Sequence, residues 1–461
     1  MSDRSLHKKY GLTTAICMVV GTVIGSGIFF KAGKVLENNN GNMAMSLLTV
    51  AAVGMIMLIC AYVFSLLAGR YAKINGVVDY AEATCGPVYA YAVGWFLSVI
   101  YYPIITACLA WVSAQYTCTL FGWQMASDVH LAVAAFYLVL GYAVNTLSPR
   151  IAGKVQVSAT VIKLIPLGIM AIVGTAVGLC NGMTVDALTN HMTVGSGGTG
   201  IFGAITAFAF AYEGWIIATT INAELKDAKK TLPRALVIGS LIVIGVYMAY
   251  FLGMTGVLST GDMMASDNLP RDAFVSLFGH PVFGTIIYVF VIISCLGTLN
   301  GLVLGCSRGL YSLAARGQGP AHRMMAQIDP VTDMPTNSAF AGLLLCGVWL
   351  LQWELGFMQK LLPPFLAWEN DELPIITLYL LYIPIFVVLM CRARDLDPVR
   401  RFVLPAFAVA ACLFMIWCAV VAYRIEALYY VIVFAVIMAV GMLFYRKDGQ
   451  RVLFRLKQPK K

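Results

Sequence analysis

The sequence predicts an all-α polytopic membrane protein with twelve crossings, on three observations. Of 461 residues 60% are apolar and only 11% charged, with a mean hydropathy of +0.83, against roughly 25% charged in a soluble globular domain. Apolar runs long enough to cross a bilayer recur along nearly the whole chain. Lysine and arginine gather in alternate connections between those runs.

A hydrocarbon core about 30 Å thick needs about 20 apolar residues per helical crossing. Such runs fall near 12–36, 42–69, 87–121, 129–147, 155–178, 201–222, 235–258, 281–306, 338–357, 374–391, 403–423 and 427–445, leaving no separate soluble domain within 1–461. The opening MSDRSLHKKYG is polar and basic and lacks a small-residue cleavage site, so it reads as a tail and not a signal peptide. Basic residues resist export and accumulate in cytoplasmic loops. With the N-terminus inside, the inner segments hold Arg4, Lys8, Lys9; Arg70, Lys73; Arg150, Lys154; Lys226, Lys229, Lys230, Arg234; Arg308, Arg316, Arg323; Arg392, Arg394, Arg400, Arg401; and seven more after Tyr445, which is 25 of the 31. Lys31, Lys34, Arg271, Lys360 and Arg424 fall outside, and Lys163 within a span. Both termini are thus expected in the cytoplasm. The formal charge of +9 reflects this bias beside anionic inner-leaflet lipid and needs no nucleic acid.

The twelve cysteines form no CxxC and no ligand-like cluster, and the five histidines (His7, His130, His191, His280, His322) fall in loops or at span ends. Neither a metal site, a cofactor, nor an intramembrane catalytic group is expected, and no ATP-binding loop is present.

Two segments break the apolar pattern. GTVIGSGIFF (residues 21–30) places glycine and serine in the middle of the first span. Backbone at membrane depth leaves helical form only where protein or a watery cavity surrounds it. Close helix packing through Gly21 and Gly25 explains this stretch as well as a break does. In the sixth span FAFAYEGW (208–215) adds a carboxylate, Glu213, and Gly214 near mid-membrane, where a buried charge is costly unless paired, protonated or wetted. These spans open two sets of five, and five crossings is odd, so the sets run in opposite orientations. Paired interruptions in such halves point to a transport site at the midplane. Freed amides receive an anion and freed carbonyls a cation; a ligand with both charges close together is an α-amino acid.

The chain resembles the amino acid–polyamine–organocation superfamily, most closely its L-amino acid transporter group. The resemblance rests on GSGIF, INGVVDYAEATCGP after the second span, VQVSATVIKLIPL in the fifth, FAYEGW followed by AELKDAKKTLPRA in the sixth, and LGTLNGLVLGCSRGLYSLAARG in and after the eighth. It implies the leucine-transporter-like fold: a first inverted repeat at 12–178, a second at 201–391, two additional C-terminal helices at 403–445, and a cytoplasmic tail at 446–461. It further implies alternating access, with the amides around Gly25, Ser26 and Gly27 holding the substrate carboxylate. Carbonyls of Thr22, Val23, Phe210 and Glu213 would take the ammonium, with Ala211 and Gly214 completing the sixth-span side of the site. Phe210 would be the aromatic lid, although core packing is what most membrane aromatics do.

Lys163 lies about eight residues into the fifth span, roughly 12 Å along a helix rising 1.5 Å per residue. An intramembrane lysine needs a partner. The resemblance implies that its ammonium stands where sodium-coupled relatives bind sodium, bracing the first span against the fifth and eighth, so sodium independence is expected. Glu213 remains open between pairing with the substrate ammonium, with a cationic side chain, with Lys163 through water, acting as a protonatable coupling group, and being satisfied by helix ends.

Asn300 is a candidate for bonding the broken helices or for gluing two spans. Tyr101, Tyr102 and Tyr379 lie on site-lining spans but also suit packing. The outer run Trp368 to Glu372 would attract cationic substrates or simply be a solvated loop. Asp79 and Tyr80 suit an inner gate, or Asp79 a helix cap. Animal members of the group pair with a glycoprotein through a cysteine between the third and fourth spans. The loop GWQMASD here has none, so no disulfide-linked ancillary subunit is expected. The expected function is plasma-membrane transport of L-amino acids, neutral ones with cationic ones as an extension, by exchange; alternatives are proton-coupled amino acid or polyamine symport, a channel, and a membrane-embedded enzyme.

Overall fold

The computed structural model describes residues 8, 10–71, 75–123, 127–189, 200–266 and 268–446. Arg4, Lys9, Lys73, His7, His191, residues 124–126 of the outer loop and the tail beyond Arg446 lie outside the described residues. Twelve segments are long and apolar enough to cross a membrane, and they match the expected spans in number and order: Leu12–Phe30, Met43–Ala68, Pro87–Phe121, Asp128–Leu147, Arg150–Asn181, Gly200–Asn222, Ala228–Met254, Val282–Ala314, Thr336–Met358, Leu373–Arg392, Val399–Tyr423 and Ile425–Met442. They are numbered spans 1 to 12 below. Among the described residues all regular elements are helical, with one isolated bridge between Tyr10 and Leu225.

Spans 3 and 6 are 89% buried and span 12 only 17%, so the former make the centre and the latter faces lipid. Span 1 packs against spans 5, 7 and 8 and against the second half of span 6; span 3 packs against 4, 8 and 9.

The helix of span 5 begins at Pro149, before the expected 155, because the Ser148 side chain caps its first turn by accepting from the Ile151 amide. The polar PRIAGK turn hid that start. Lys163 is therefore fourteen residues into the helix, roughly 20 Å along its axis.

Spans 1 and 6 are each interrupted after twelve helical residues, Leu12–Val23 and Gly200–Ala211. In span 1 the chain turns extended at Ile24 (ψ 95°) and resumes as Gly27–Phe30, followed by a further helix Ala32–Asn38. In span 6 Gly214 adopts φ +100° before a 3-10 stretch, Trp215–Glu224. That φ suits glycine, and a Cβ there would also lie 2.8 Å from the Thr22 carbonyl oxygen. At Gly27 a Cβ would stand 2.5 Å from the Ala211 Cα, so the two breaks touch backbone to backbone.

Candidate functional site

The span 1 break exposes both kinds of backbone group. Among the described residues the amides of Gly25, Ser26 and Gly27 donate to no backbone carbonyl, and the buried Ser26 hydroxyl has no partner. The carbonyls behind the break are held. Lys163 Nζ donates to the Gly21 oxygen at 2.8 Å, to the Ile24 oxygen at 2.5 Å and to Thr298 Oγ1 at 3.0 Å. Thr298 in turn contacts the same two carbonyls at 3.0 and 3.1 Å, and Ser294 approaches the Gly25 oxygen at 3.4 Å.

Two hydroxyls join the breaks. Thr22 Oγ1 donates to the Gly214 carbonyl at 3.0 Å. Tyr247 reaches the Val23 and Ala211 carbonyls at 3.1 and 2.8 Å. Glu213 is 4% exposed, and its Oε2 accepts from the Tyr101 hydroxyl at 2.6 Å, with Tyr379 facing the same carboxylate. Among the described residues no hydrogen bond or ion pair joins Glu213 to Lys163.

These groups surround one cavity. Thr22, Val23, Gly25, Ser26, Gly27, Phe210, Glu213 and Gly214, all substrate-site candidates from the sequence, line it together with Ile105, Leu109, Thr298 and Leu302, which were not among the candidates. Ala211 stands behind the lining against Gly27. Only about 20 Å³ is open, room for one water and too little for an amino acid, so the site is closed on itself. Thr298 sat inside the quoted LGTLNG, but a threonine in an apolar helix carries no distinctive sequence signal. Tyr247 looks like any membrane aromatic.

The remaining candidates lie farther out. Asn300 donates to the Ala152 carbonyl at 3.1 Å and to Gln156 Oε1 at 3.0 Å, and accepts from Asn145 at 3.0 Å, tying spans 4, 5 and 8 together away from the cavity. Tyr102 is buried with its hydroxyl unpartnered among the described residues. Cys118 is buried within span 3.

Above the cavity, Phe210 presents its ring 5.8 Å from Lys31 Nζ. Here the outer acidic run departs from the solvated loop considered above: Trp368, Asn370, Asp371 and Glu372 are buried. The reason is charge compensation. Lys31 pairs with Asp371 and with Glu372 at 2.6 Å, and Lys34 with Glu369 at 2.9 Å and Glu372 at 3.1 Å. Tyr423 donates to Glu369 and Glu372. Burial pushes the Glu372 carboxyl up, but the Lys31 and Lys34 ammoniums outweigh it and hold it at about 2. Burial and the Glu372 charge raise Glu369. Burial disfavours the Lys31 ammonium, yet Asp371, Glu372 and Glu369 hold it well above the usual lysine range. Glu369, Asp371 and Glu372 are close enough to share a metal ion, but two ammoniums already sit among them, and the chemistry is that of an ion-pair network.

Below the cavity, Arg316 pairs with Asp79 and with Glu82 at 3.3 Å, and Arg308 with Glu224 at 2.5 Å. The helix Gly76–Cys85 is preceded by Asn75 at its cap position, so Asp79 serves as an ion-pair partner and not as the cap. The Tyr10 amide donates to the Glu224 carbonyl at 3.0 Å, joining the residue just before span 1 to the end of the 3-10 stretch that follows the span 6 break.

Two broken spans crossing at a closed cavity, with a polar seal on either side, are the parts of a carrier. The amino acid permease family matches residues 10–452. The chain belongs to that family. Similar proteins include the serine/threonine exchanger SteT of Bacillus subtilis (strain 168), 29% identical over 409 residues and 88% of each chain. The b(0,+)-type amino acid transporter 1 of Mus musculus is 26% identical over 460 residues, 96% of this chain and 88% of its own. The large neutral amino acids transporter small subunit 2 of Homo sapiens is 28% identical over 346 residues, covering 72% of this chain and 62% of its own. This amino acid permease is thus a multi-pass membrane protein related to amino acid transporters and exchangers, not to enzymes.

Proposed function

We propose that the permease exchanges L-amino acids across the plasma membrane by alternating access, without sodium and with both termini in the cytoplasm. The observation that carries sodium independence is the Lys163 ammonium on three oxygens, the Gly21 and Ile24 carbonyls and the Thr298 hydroxyl. Unwound carbonyls at such a break are what coordinates sodium in coupled carriers. A fixed ammonium satisfies them and repels a second cation.

The substrate carboxylate sits on the Gly25, Ser26 and Gly27 amides and the unpartnered Ser26 hydroxyl, at the positive end of the short helix that follows. Its ammonium is received by the span 6 break near Glu213. Phe210 covers the site from the outer side. Exchange fits a site closed on both sides by ion pairs, because loaded carrier must open one seal at a time. The buried Glu213 beside Tyr101 favours one alternative, proton-coupled uptake.

Proteoliposomes of purified protein separate the two. With labelled L-serine, L-leucine and L-lysine outside, uptake only when unlabelled amino acid is inside supports exchange. Accumulation into empty vesicles under an inward proton gradient replaces that reading with symport, and stimulation by sodium sinks the Lys163 argument.

A further inference from the structure

A second cavity, of about 480 Å³, opens above the Lys31 to Asp371 ion pair. That volume lies within the roughly 300–1,000 Å³ of small-molecule sites. Lys31, Glu369 and Asp371 are part of its lining, and Trp111 and Trp353 supply an aromatic wall with ring centroids 6.1 Å apart. Two lining groups are buried without a hydrogen-bond partner among the described residues, the Trp353 indole N–H and Gln115 Oε1, and they share the cavity with the Lys31 to Asp371 ion pair. Trp353 is only 3% exposed and Asp371 1%. Buried polar groups left unpaired are costly and call for a partner.

The unpartnered groups are of two kinds. One is a donor that shares the cavity with an ammonium, Trp353 with Lys31. The other is an acceptor that shares it with a carboxylate, Gln115 with Asp371. A ligand offering a carboxylate to the first kind and an ammonium to the second satisfies all of them, and an α-amino acid does so within one small molecule. We propose that this outer vestibule is a second amino acid site, whose occupant exchanges ion-pair partners with Lys31 and Asp371 and so loosens the floor above Phe210. Lys31 is the link, since it pairs with Asp371 in the vestibule and lies against the Phe210 ring that covers the central cavity. The inference rests on the reading of the protein as an amino acid carrier.

The test uses the full chain in lipid nanodiscs and equilibrium dialysis with tritiated L-serine, L-leucine and L-lysine in turn, alongside the exchange assay. Two labelled molecules should bind per chain. Excess unlabelled ligand should hasten release of prebound label beyond what dilution achieves. Trp353→Phe keeps the ring and removes the N–H; it should weaken the second phase about tenfold, the loss expected of one hydrogen bond to a charged group, and leave the first phase in place. Gln115→Ala should act in the same direction, and it decides alone if the tryptophan variant is not monodisperse. One label per chain with intact exchange overturns the vestibular site and leaves the carrier reading standing, the cavity then being filled with water. A second phase indifferent to both substitutions overturns it as well. Neither binding nor exchange of any of the three overturns both.

Discussion

Lys163 ends on three oxygens and no carboxylate. Its charge is therefore spent on backbone dipoles, and neutralising it strands buried acceptors, each worth about 1–3 kcal/mol. Lys163→Met is expected to cut exchange at least tenfold while the protein stays folded, and to bring no sodium dependence; wild-type exchange would reduce the lysine to packing. Glu213 is the other charge at this depth. Glu213→Gln keeps an acceptor for the Tyr101 hydroxyl and removes the charge. It should lower lysine uptake about tenfold relative to serine uptake, the effect of one lost ionic hydrogen bond. Equal losses for both substrates would assign Glu213 to coupling or stability.

At the scale of elements, the decisive feature is that two half-helices of equal length stop where they meet. Gly27 touches Ala211 and Gly25 faces Thr298, where added Cβ atoms would lie 2.5 and 2.7 Å away. Leucine at Gly27 therefore attacks the junction of spans 1 and 6, and at Gly25 that of spans 1 and 8, before it attacks ligand binding. Gly27→Leu is expected to give aggregated protein on size exclusion, whereas Ser26→Ala, which removes only the unpartnered hydroxyl, should stay monodisperse and raise the half-saturating substrate concentration several-fold. A monodisperse, active Gly27→Leu would show that the breaks do not pack this closely. The breaks were legible because glycine and a carboxylate are conspicuous in lipid-buried sequence. Thr298 and Tyr247 were not, since a hydroxyl acting on a distant carbonyl leaves no local pattern. Lys31 and Glu372 are 341 residues apart, and neither flank shows that the acidic run is buried against it.

For the whole molecule, the central cavity lies between an outer network around Lys31 and Lys34 and an inner one around Arg316 and Arg308, and both are formed. Alternation requires each to break while the other holds. Removing one partner of a buried pair costs roughly 3–5 kcal/mol, enough to shift such an equilibrium by more than a hundredfold. Glu372→Gln should therefore favour the outward-open form at pH 7, and Arg316→Ala the inward-open form. In a cysteine-depleted background carrying Ser26→Cys, a membrane-impermeant thiol reagent added outside should react at least tenfold faster in the first variant and slower in the second. The pH dependence has a definite sign. Glu372 sits at about 2 in the closed gate and near the ordinary carboxylate value of about 4.5 once hydrated. Its charge thus favours closure fully above about 4.5, and that contribution fades as pH falls toward 2. Glu369, raised in the closed gate, works the other way and blunts the effect. Between pH 6 and 8 the wild-type labelling rate, divided by the thiolate fraction of the reporter cysteine, should accordingly stay flat, and the Glu372→Gln rate so corrected should be high and flat too. A steep wild-type change within that window, beyond that of the thiolate fraction, would place the gating proton elsewhere, with Glu213 the first group to substitute; unchanged labelling in both variants would make the two networks fixed staples and leave closure to Phe210.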